Sequence, residues 1–479
     1  KYNFNNYKLE SNLRIRNHEL YSKTNKYLVK NMNSIKYIPI ETKELIIELV
    51  EHLEIIDLGK FQIDKIIIKN MENSNILFPN NLKHLIIKDK NFNQPVTLPN
   101  NLTHLTFGEN FNQPITLPNN LTHLTFEEKS HFNQPITLPN NLTHLTFGEN
   151  FNQPITLPNS LTHLTFEEDF DQPINLPNSL THLTFGKHFD QPINLPNSLA
   201  HLTFGHYFDQ PITLPNNLTH LTFGVGFNKP VILPENLVYL SFGRLFNQPV
   251  NLPSKLRHLS LGKFFNQEIN LPNSLTHLEF GEYFNREIDL PNNLTHLTFG
   301  DEFDQPIILP NGLTHLTFGE YFNQSVKLPN SLTHLTLGFS FNRSIILPNG
   351  LTHLTFGDSF NKPITLPNSL THLTFGNNFN QPITLSNGLT HLIFGDCFNQ
   401  KLSLIDKNTG RTFKNLKSIK FGENFRSELQ IGSIENKSTK IIIRLNNEYF
   451  DEIFSIKNQY DFENYILTDL WDDIINVIS

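Results

Sequence analysis

Apolar and polar positions along this chain follow a pattern that repeats every 19 residues. In the stretch Leu102 to Asn120, Leu102, Leu105 and Phe107 stand at L-x-x-L-x-F spacing, Phe111 follows, and Ile115 and Leu117 flank Thr116. Phenylalanines equivalent to Phe111 recur from Phe92 to Phe398, 17 in all, 19 residues apart except for one step of 21. A unit this short cannot bury its own apolar face and must stack on its neighbours to share one long core. The pattern therefore predicts a solenoid.

Within a unit, His104-Leu105-Thr106-Phe107 alternates, which sends Leu and Phe inward and His and Thr outward along one short strand. Gly108 ends the strand, and the next two residues vary freely between units, as a loop tip does. Phe111 re-enters the core. Asn112 occupies a place that holds Asn or Asp in every unit, the acids being Asp171, Asp190, Asp209 and Asp304. Asp shares only an acceptor oxygen with Asn, so the common requirement is acceptance from a nearby backbone N–H, as in an Asx-turn. Pro114 removes a donor and holds Gln113 extended, which excludes a helical return path. Ile115 and Leu117 point inward on that path, with a second short strand as one option, and Leu117-Pro118-Asn119-Asn120 turns the chain into the next coil. The expected fold class is an all-β, leucine-rich-repeat-like solenoid of 19-residue coils. With no helix on the return side, it is expected to be a weakly curved rod rising about 4.8 Å per coil.

The repeat decays toward both ends. Pro79-Asn80-Asn81-Leu82-Lys83-His84-Leu85 still matches the turn and strand, and Ile63, Ile66 and Ile68 keep the spacing. The chain is expected to comprise a cap or lead-in at 1–35, degenerate coils at 36–91, regular repeats at 92–403, an insertion with last degenerate coils at 404–445, and a cap at 446–479. In that cap, Tyr460 to Ile478 places Phe462, Tyr465, Ile466, Leu470, Trp471, Ile474, Ile475 and Ile478 at helical spacing and predicts an amphipathic helix.

The formal net charge is −8, and Lys and Arg are scattered, so no basic field awaits nucleic acid or an anionic membrane surface. A single cysteine, Cys397, excludes an internal disulfide and any Cys-rich zinc module. No apolar stretch is long enough for a membrane helix or a signal peptide. A soluble, intracellular, cytoplasmic protein is expected. Asn-x-Thr sequons at Asn101, Asn120, Asn141, Asn217 and Asn293 are either glycan acceptors or simply turn residues preceding a strand.

The recurring Phe-Asn-x-Pro-Ile, followed by Leu-Pro-x-x-Leu-x-x-Leu-x-Phe-Gly, resembles the FNIP repeats, a leucine-rich-repeat-like family found in social amoebae and in giant viruses of amoebae. The resemblance covers roughly residues 72 to 425, although the family's usual unit is slightly longer. It implies a protein-binding role. Several members carry an N-terminal F-box that recruits a cullin-type ubiquitin ligase and leaves the repeats to hold a substrate, which implies adaptor duty; a viral member would act in the host cytoplasm. Here Ile38-Pro39-Ile40-Glu41 with Leu45, Ile46 and Leu49 is faintly F-box-like, but its spacing fits a decayed coil better.

Two sets of residues stand out as candidate sites. The outward position of the strand is His in 16 units, among them His104, His123, His144, His163, His182, His201, His220, His258, His277 and His296, with Tyr239 interrupting the file. Stacking holds these imidazoles about 5 Å apart beside a Thr stripe. No carboxylate or Cys accompanies them, so a hydrogen-bonded ladder is expected rather than a metal array, and no cofactor. The second set lies where the repeat loses uniformity, at Tyr239, Arg244, Leu245, Arg257, Lys263, Phe264, Glu279, Tyr283 and Arg286, residue types that anchor protein interfaces. Catalysis needs unlike groups converging on a pocket, whereas a stripe repeats one group along a line. The reading is therefore a non-enzymatic module for a protein partner. The alternative is a structural filament or particle-surface rod.

Overall fold

The computed structural model describes residues 25–49, 55–71, 75–405, 413, 415–430, 441–444 and 465–468. The chain divides into two compact units, Lys1–Leu237 and Val238–Ser479, and each is a stack of coils carrying one short parallel strand per coil. In the first unit, strands Lys26–Val29, Glu44–Glu48, Lys65–Asn70 and His84–Ile87 pair in parallel and lead into the regular strands from His104–Phe107 onward. Glu44–Glu48 is thus strand, not part of a helical F-box. In the second, Tyr239–Ser241 starts a series that continues through His391–Ile393 to Ser418–Lys420 and Ile441–Arg444. Register is strict, His facing His and Leu facing Leu in successive strands.

The helix expected over Tyr460 to Ile478 meets a correction. Tyr465–Thr468 is a strand, parallel to Ile441–Arg444 with Ile466 opposite Ile442. A short Tyr-Ile-Leu-Thr run suits a strand as well as a helix, and the open edge of the preceding strand supplies main-chain partners that a lone helix does not need. The rest of that stretch, like residues 1–24, lies outside the described residues.

Leu102, Leu105, Phe107 and Phe111 are fully buried, but Ile115 and Leu117 are only half-buried. The rings explain why. Neighbouring histidine rings along the strand face are 4.1–4.5 Å apart, rings in the Phe107 column 5.3–6.0 Å, and those in the Phe111 column 5.7–6.4 Å. Equivalent residues report coil spacing, so within each unit the coils fan apart away from the strand face. The two faces of a coil are not equivalent in pitch, contrary to the expectation from return-path length. Fanning and Pro114 together keep the return segment 113–117 out of a ladder, and it forms no strand. Two pairs of return segments, both without Pro, do pair: Ile55–Asp57 with Asn75–Leu77 and Leu402–Ser403 with Leu429–Gln430.

Polar columns tie coil to coil. Asn112 does accept from a backbone N–H, but not locally: its carboxamide oxygen accepts from Asn133 N at 3.0 Å and from Gln134 Nε2 at 3.2 Å, one coil on. Asp171 serves Asp190 and Gln191 in the same way. At the turn, the amide nitrogen of each sequon residue donates to a carbonyl of the coil before, as Asn120 Nδ2 does to Asn100 O at 3.0 Å.

In most coils a glycine follows the strand, and it serves close approach between coils rather than a left-handed φ. A Cβ on Gly338 would lie 1.9 Å from the Gly319 carbonyl oxygen, whereas one on Gly350, at the turn, would meet nothing nearer than Asn330 O at 3.6 Å. Gly338→Ala should therefore destabilise by about 2 kcal/mol or more, and Gly350→Ala should be neutral or stabilise by about 0.5 kcal/mol. Urea midpoints of the two variants check this; equal midpoints would reject the close-approach account.

Candidate functional site

The strand face carries a continuous stack of imidazoles in each unit. In the first, His84 to His220 stack at 4.1–4.3 Å with interplanar angles of 8–15°. In the second, His258 to His391 do the same at 4.2–4.5 Å. Tyr239 sits against His258 at 6.2 Å, tilted by 34°.

The hydrogen bonds fix the tautomer. Thr122 Oγ1 donates to Thr103 O at 3.0 Å and lies 2.9 Å from His123 Nδ1. Its only proton is committed to the carbonyl, so it can only accept from the ring, and Nδ1 carries the hydrogen. The same pair of contacts recurs at His144, His277 and His353. Nε2 is left as the bare nitrogen of each such ring. Burial, and then the charge of neighbouring histidines, lowers these pKa values, to about 4 at His104 and in the same direction along the file, as at His163 and His296. Parallel rings direct their lone pairs side by side rather than to a common centre. Among the described residues no three His, Cys, Asp or Glu side chains gather as a metal site.

The ladder has a defect. Ala200 stands where Thr precedes the other histidines of the first unit from His104 on, and His201 Nδ1 is buried without a hydrogen-bond partner. Arg257 replaces the same Thr before His258, and Val238 before Tyr239.

The irregular residues do not form one cluster. Arg244, Leu245, Lys263, Phe264 and Tyr283 share the loop edge that follows the strands of the second unit. Main-chain bonds hold this edge coil to coil, Phe264 N to Arg244 O at 3.0 Å and Tyr283 N to Lys263 O at 2.9 Å. Phe264 and Tyr283 stack at 5.1 Å, the Arg244 guanidinium lies 5.6 Å from the Phe264 ring centre, and Lys263 Nζ lies 5.4 Å from that of Tyr283. Lys263 also pairs with Glu282, whose carboxyl its hydrogen bond holds below the usual range. Leu245 and Tyr283 are about 40% exposed. Tyr239, Arg257 and Glu279 stand on or beside the strand face instead, with Glu279 accepting from Ser260 Oγ at 3.1 Å. Arg286 lies on the return side, donating to Asn266 O at 2.7 Å.

Sequence reasoning missed three exposed rings in the same loop columns: Tyr207 in the first unit, and Tyr321 and Phe339 in the second, each nearly half exposed. The signal was available, because all three occupy the two freely varying places after the glycine.

Unfolded histidines titrate near their ordinary pKa and so bind protons that the folded ladder refuses. Stability should therefore be full above pH 7 and decline as pH falls below about 6.5 toward the lowered folded values. Thermal midpoints between pH 7.5 and 5 measure this, and a flat profile would refute it. Ala200→Thr gives His201 Nδ1 an acceptor and should raise stability by about 1 kcal/mol, with nitrogen chemical shifts reporting Nδ1–H at that ring.

The model of the FNIP Repeat family matches in a run of segments from 92–129 and 132–169 through 341–378 to 379–406. Among solved structures, the chain is similar to CroV588 of a giant virus, described as a novel circular LRR protein structure, at 40% identity and a TM-score of 0.63, covering 92% of this chain and 81% of that one. It shares its fold with YopM from Yersinia enterocolitica WA-314 at 19% identity and a TM-score of 0.60, covering 82% and 91%. No curated protein matches the chain. The 19-residue parallel coils, the Phe-Asn-x-Pro columns that tie them together and these matches place the chain in the FNIP-repeat family of leucine-rich-repeat-like solenoids.

Proposed function

We propose that this chain is a non-enzymatic scaffold that holds a protein partner through the loop edge of its second unit. The observation that carries the reading is the braced set Arg244, Phe264, Tyr283 and Lys263. Large side chains that are already stacked and hydrogen-bonded lose little freedom when a partner arrives, which is what an interface anchor needs. Leu245, Tyr321 and Phe339 extend the apolar surface along the same columns. Neighbouring coils repeat such contacts at a fixed pitch, so modest individual contacts add along the edge. The repeated columns support binding rather than chemistry, since they line up like groups instead of converging unlike ones. Among the described residues no helix is long and apolar enough to cross a membrane.

The finer reading, implied by the family, is substrate receptor of a cullin-type ubiquitin ligase, acting in the cytoplasm. Affinity capture from amoebal cytosol, with the Arg244→Ala/Phe264→Ala/Tyr283→Ala variant in parallel, separates the levels. Proteins bound by the parent chain and reduced at least tenfold with the variant are expected. A cullin with its Skp-type adaptor among the captured proteins would support receptor duty. Capture that is equal for both chains would reject the edge as the anchor, and recovery of the chain alone or with particle components would point to the structural rod.

A further inference from the structure

Most coils carry Pro at the place of Pro114, but two successive coils of the second unit carry Glu268 and Glu287 instead. There the return side opens into a groove of about 700 Å³ lined by residues including Ile269, Leu271, Arg286, Ile288 and Asp289. The substitution does two things at once. It restores a backbone N–H that Pro lacks, and it adds a carboxylate. The N–H groups of Glu268 and Glu287 have no partner among the described residues. One other pair of Pro-free return segments, Leu402–Ser403 and Leu429–Gln430, does form a short ladder, with Leu402 N donating to Glu428 O at 3.0 Å and Leu404 N to Gln430 O at 2.9 Å. The segments at Glu268 and Glu287 form no such ladder, which leaves their N–H groups for another partner.

Charge selects the occupant. Arg286 is engaged by Asn266 O at 2.7 Å and faces Glu268 Oε1 at 3.7 Å. Glu287 and Asp289 have no cation beside them among the described residues, so the groove is net negative. Ile269, nearly buried, and the half-buried Leu271 and Ile288 provide an apolar floor between the acids. Ser325 and Ser344 form another Pro-free pair of neighbours but bring no carboxylate, which singles out the first pair.

We propose that this groove binds a short, extended, basic segment of a partner protein, in which Lys or Arg side chains reach Glu268, Glu287 and Asp289 and apolar side chains between them rest on Ile269 and Ile288. A polyamine would satisfy the carboxylates, but it has no acceptor for the two free N–H groups. A peptide brings main-chain carbonyls for them as well as cations. The site is separate from the loop edge and stands or falls without it.

The test is fluorescence anisotropy on the full chain at about 50 mM salt, where exposed charge pairs are weakly screened. The probe is a labelled octapeptide of alternating Lys and Ile, with the Glu/Ile counterpart and spermine as controls. Binding of the Lys/Ile peptide alone is expected. Glu268→Gln/Glu287→Gln/Asp289→Asn should weaken it about tenfold. Glu268→Pro/Glu287→Pro, which installs the residue most coils carry there, should weaken it further, because it also removes both donors. Phe264→Ala/Tyr283→Ala should leave it unchanged, whatever becomes of the partner captured at the loop edge. Absence of binding, equal binding by the amide variant, or displacement by spermine as effective as by unlabelled peptide would each overturn the assignment.

Discussion

One carbonyl per coil holds this solenoid in register. Thr103 O accepts from Thr122 N at 2.9 Å, His123 N at 3.0 Å and Thr122 Oγ1 at 3.0 Å, all from the coil that follows. A coil in isolation has no such donors for its own carbonyl, and a one-residue slip would lose all three bonds while turning Leu105 and Phe107 out of the core. The same contact sets the chemistry of the surface. By committing the Thr hydroxyl proton, it makes the adjacent ring donate through Nδ1, so the exposed nitrogen of each ladder histidine so paired follows from a backbone requirement. A partner meeting this face meets a row of acceptors.

The stacked column also explains why the coils fan. Rings pressed to about 4.2 Å on the strand face and about 6 Å in the Phe111 column cannot belong to coils of uniform spacing. Phe107 and Phe111 stack on each other at 3.9 Å within one coil and so thicken the interior next to the strand, while no side chain of similar bulk separates the histidines. The return segments are carried apart and lose their claim to a main-chain ladder. Their Pro residues are then compatible with the fold rather than the sole cause of the missing strand. That is why the coils at Glu268 and Glu287 can give up Pro without becoming strands, and why their donors remain unused.

Much of this was legible in the sequence because every coil repeats the same demand. The outward His and Thr, the inward Leu and Phe, and the need for an acceptor at Asn112 all follow from alternation and from which residues substitute for one another. The partner of that acceptor was not legible: a local Asx-turn and a bond one coil along satisfy the same oxygen, and only the stacking distance decides between them. The burial of Ile115 and Leu117 was overestimated for a related reason, since alternation reports which face a side chain takes but not how far the neighbouring coil stands away. Tyr465 to Thr468 was ambiguous in a different sense, because four residues are too few to separate two periodicities and the strand beside them arbitrates. Of the candidate site residues, the loop-edge set is grouped by position after the glycine, whereas Tyr321 and Phe339 stand in coils whose strand columns are more regular, so no break there marks them.

The division of labour between columns follows from these bonds. A column whose side chains bind the next coil loses a bond when one member changes, and Ala200 thereby leaves His201 Nδ1 without a partner. The loop-tip columns are joined by main-chain bonds that need no particular side chain, Tyr283 N to Lys263 O and Tyr321 N to Asp301 O at 2.9 Å, so many side chains are accepted there at little cost to the stack. Recognition residues can therefore accumulate on the loop edge, and on return segments that carry no ladder, while the His, Thr, Asn and Phe columns change in only a few coils. The places where this repeat looks careless are the places where its fold permits a surface to be specific.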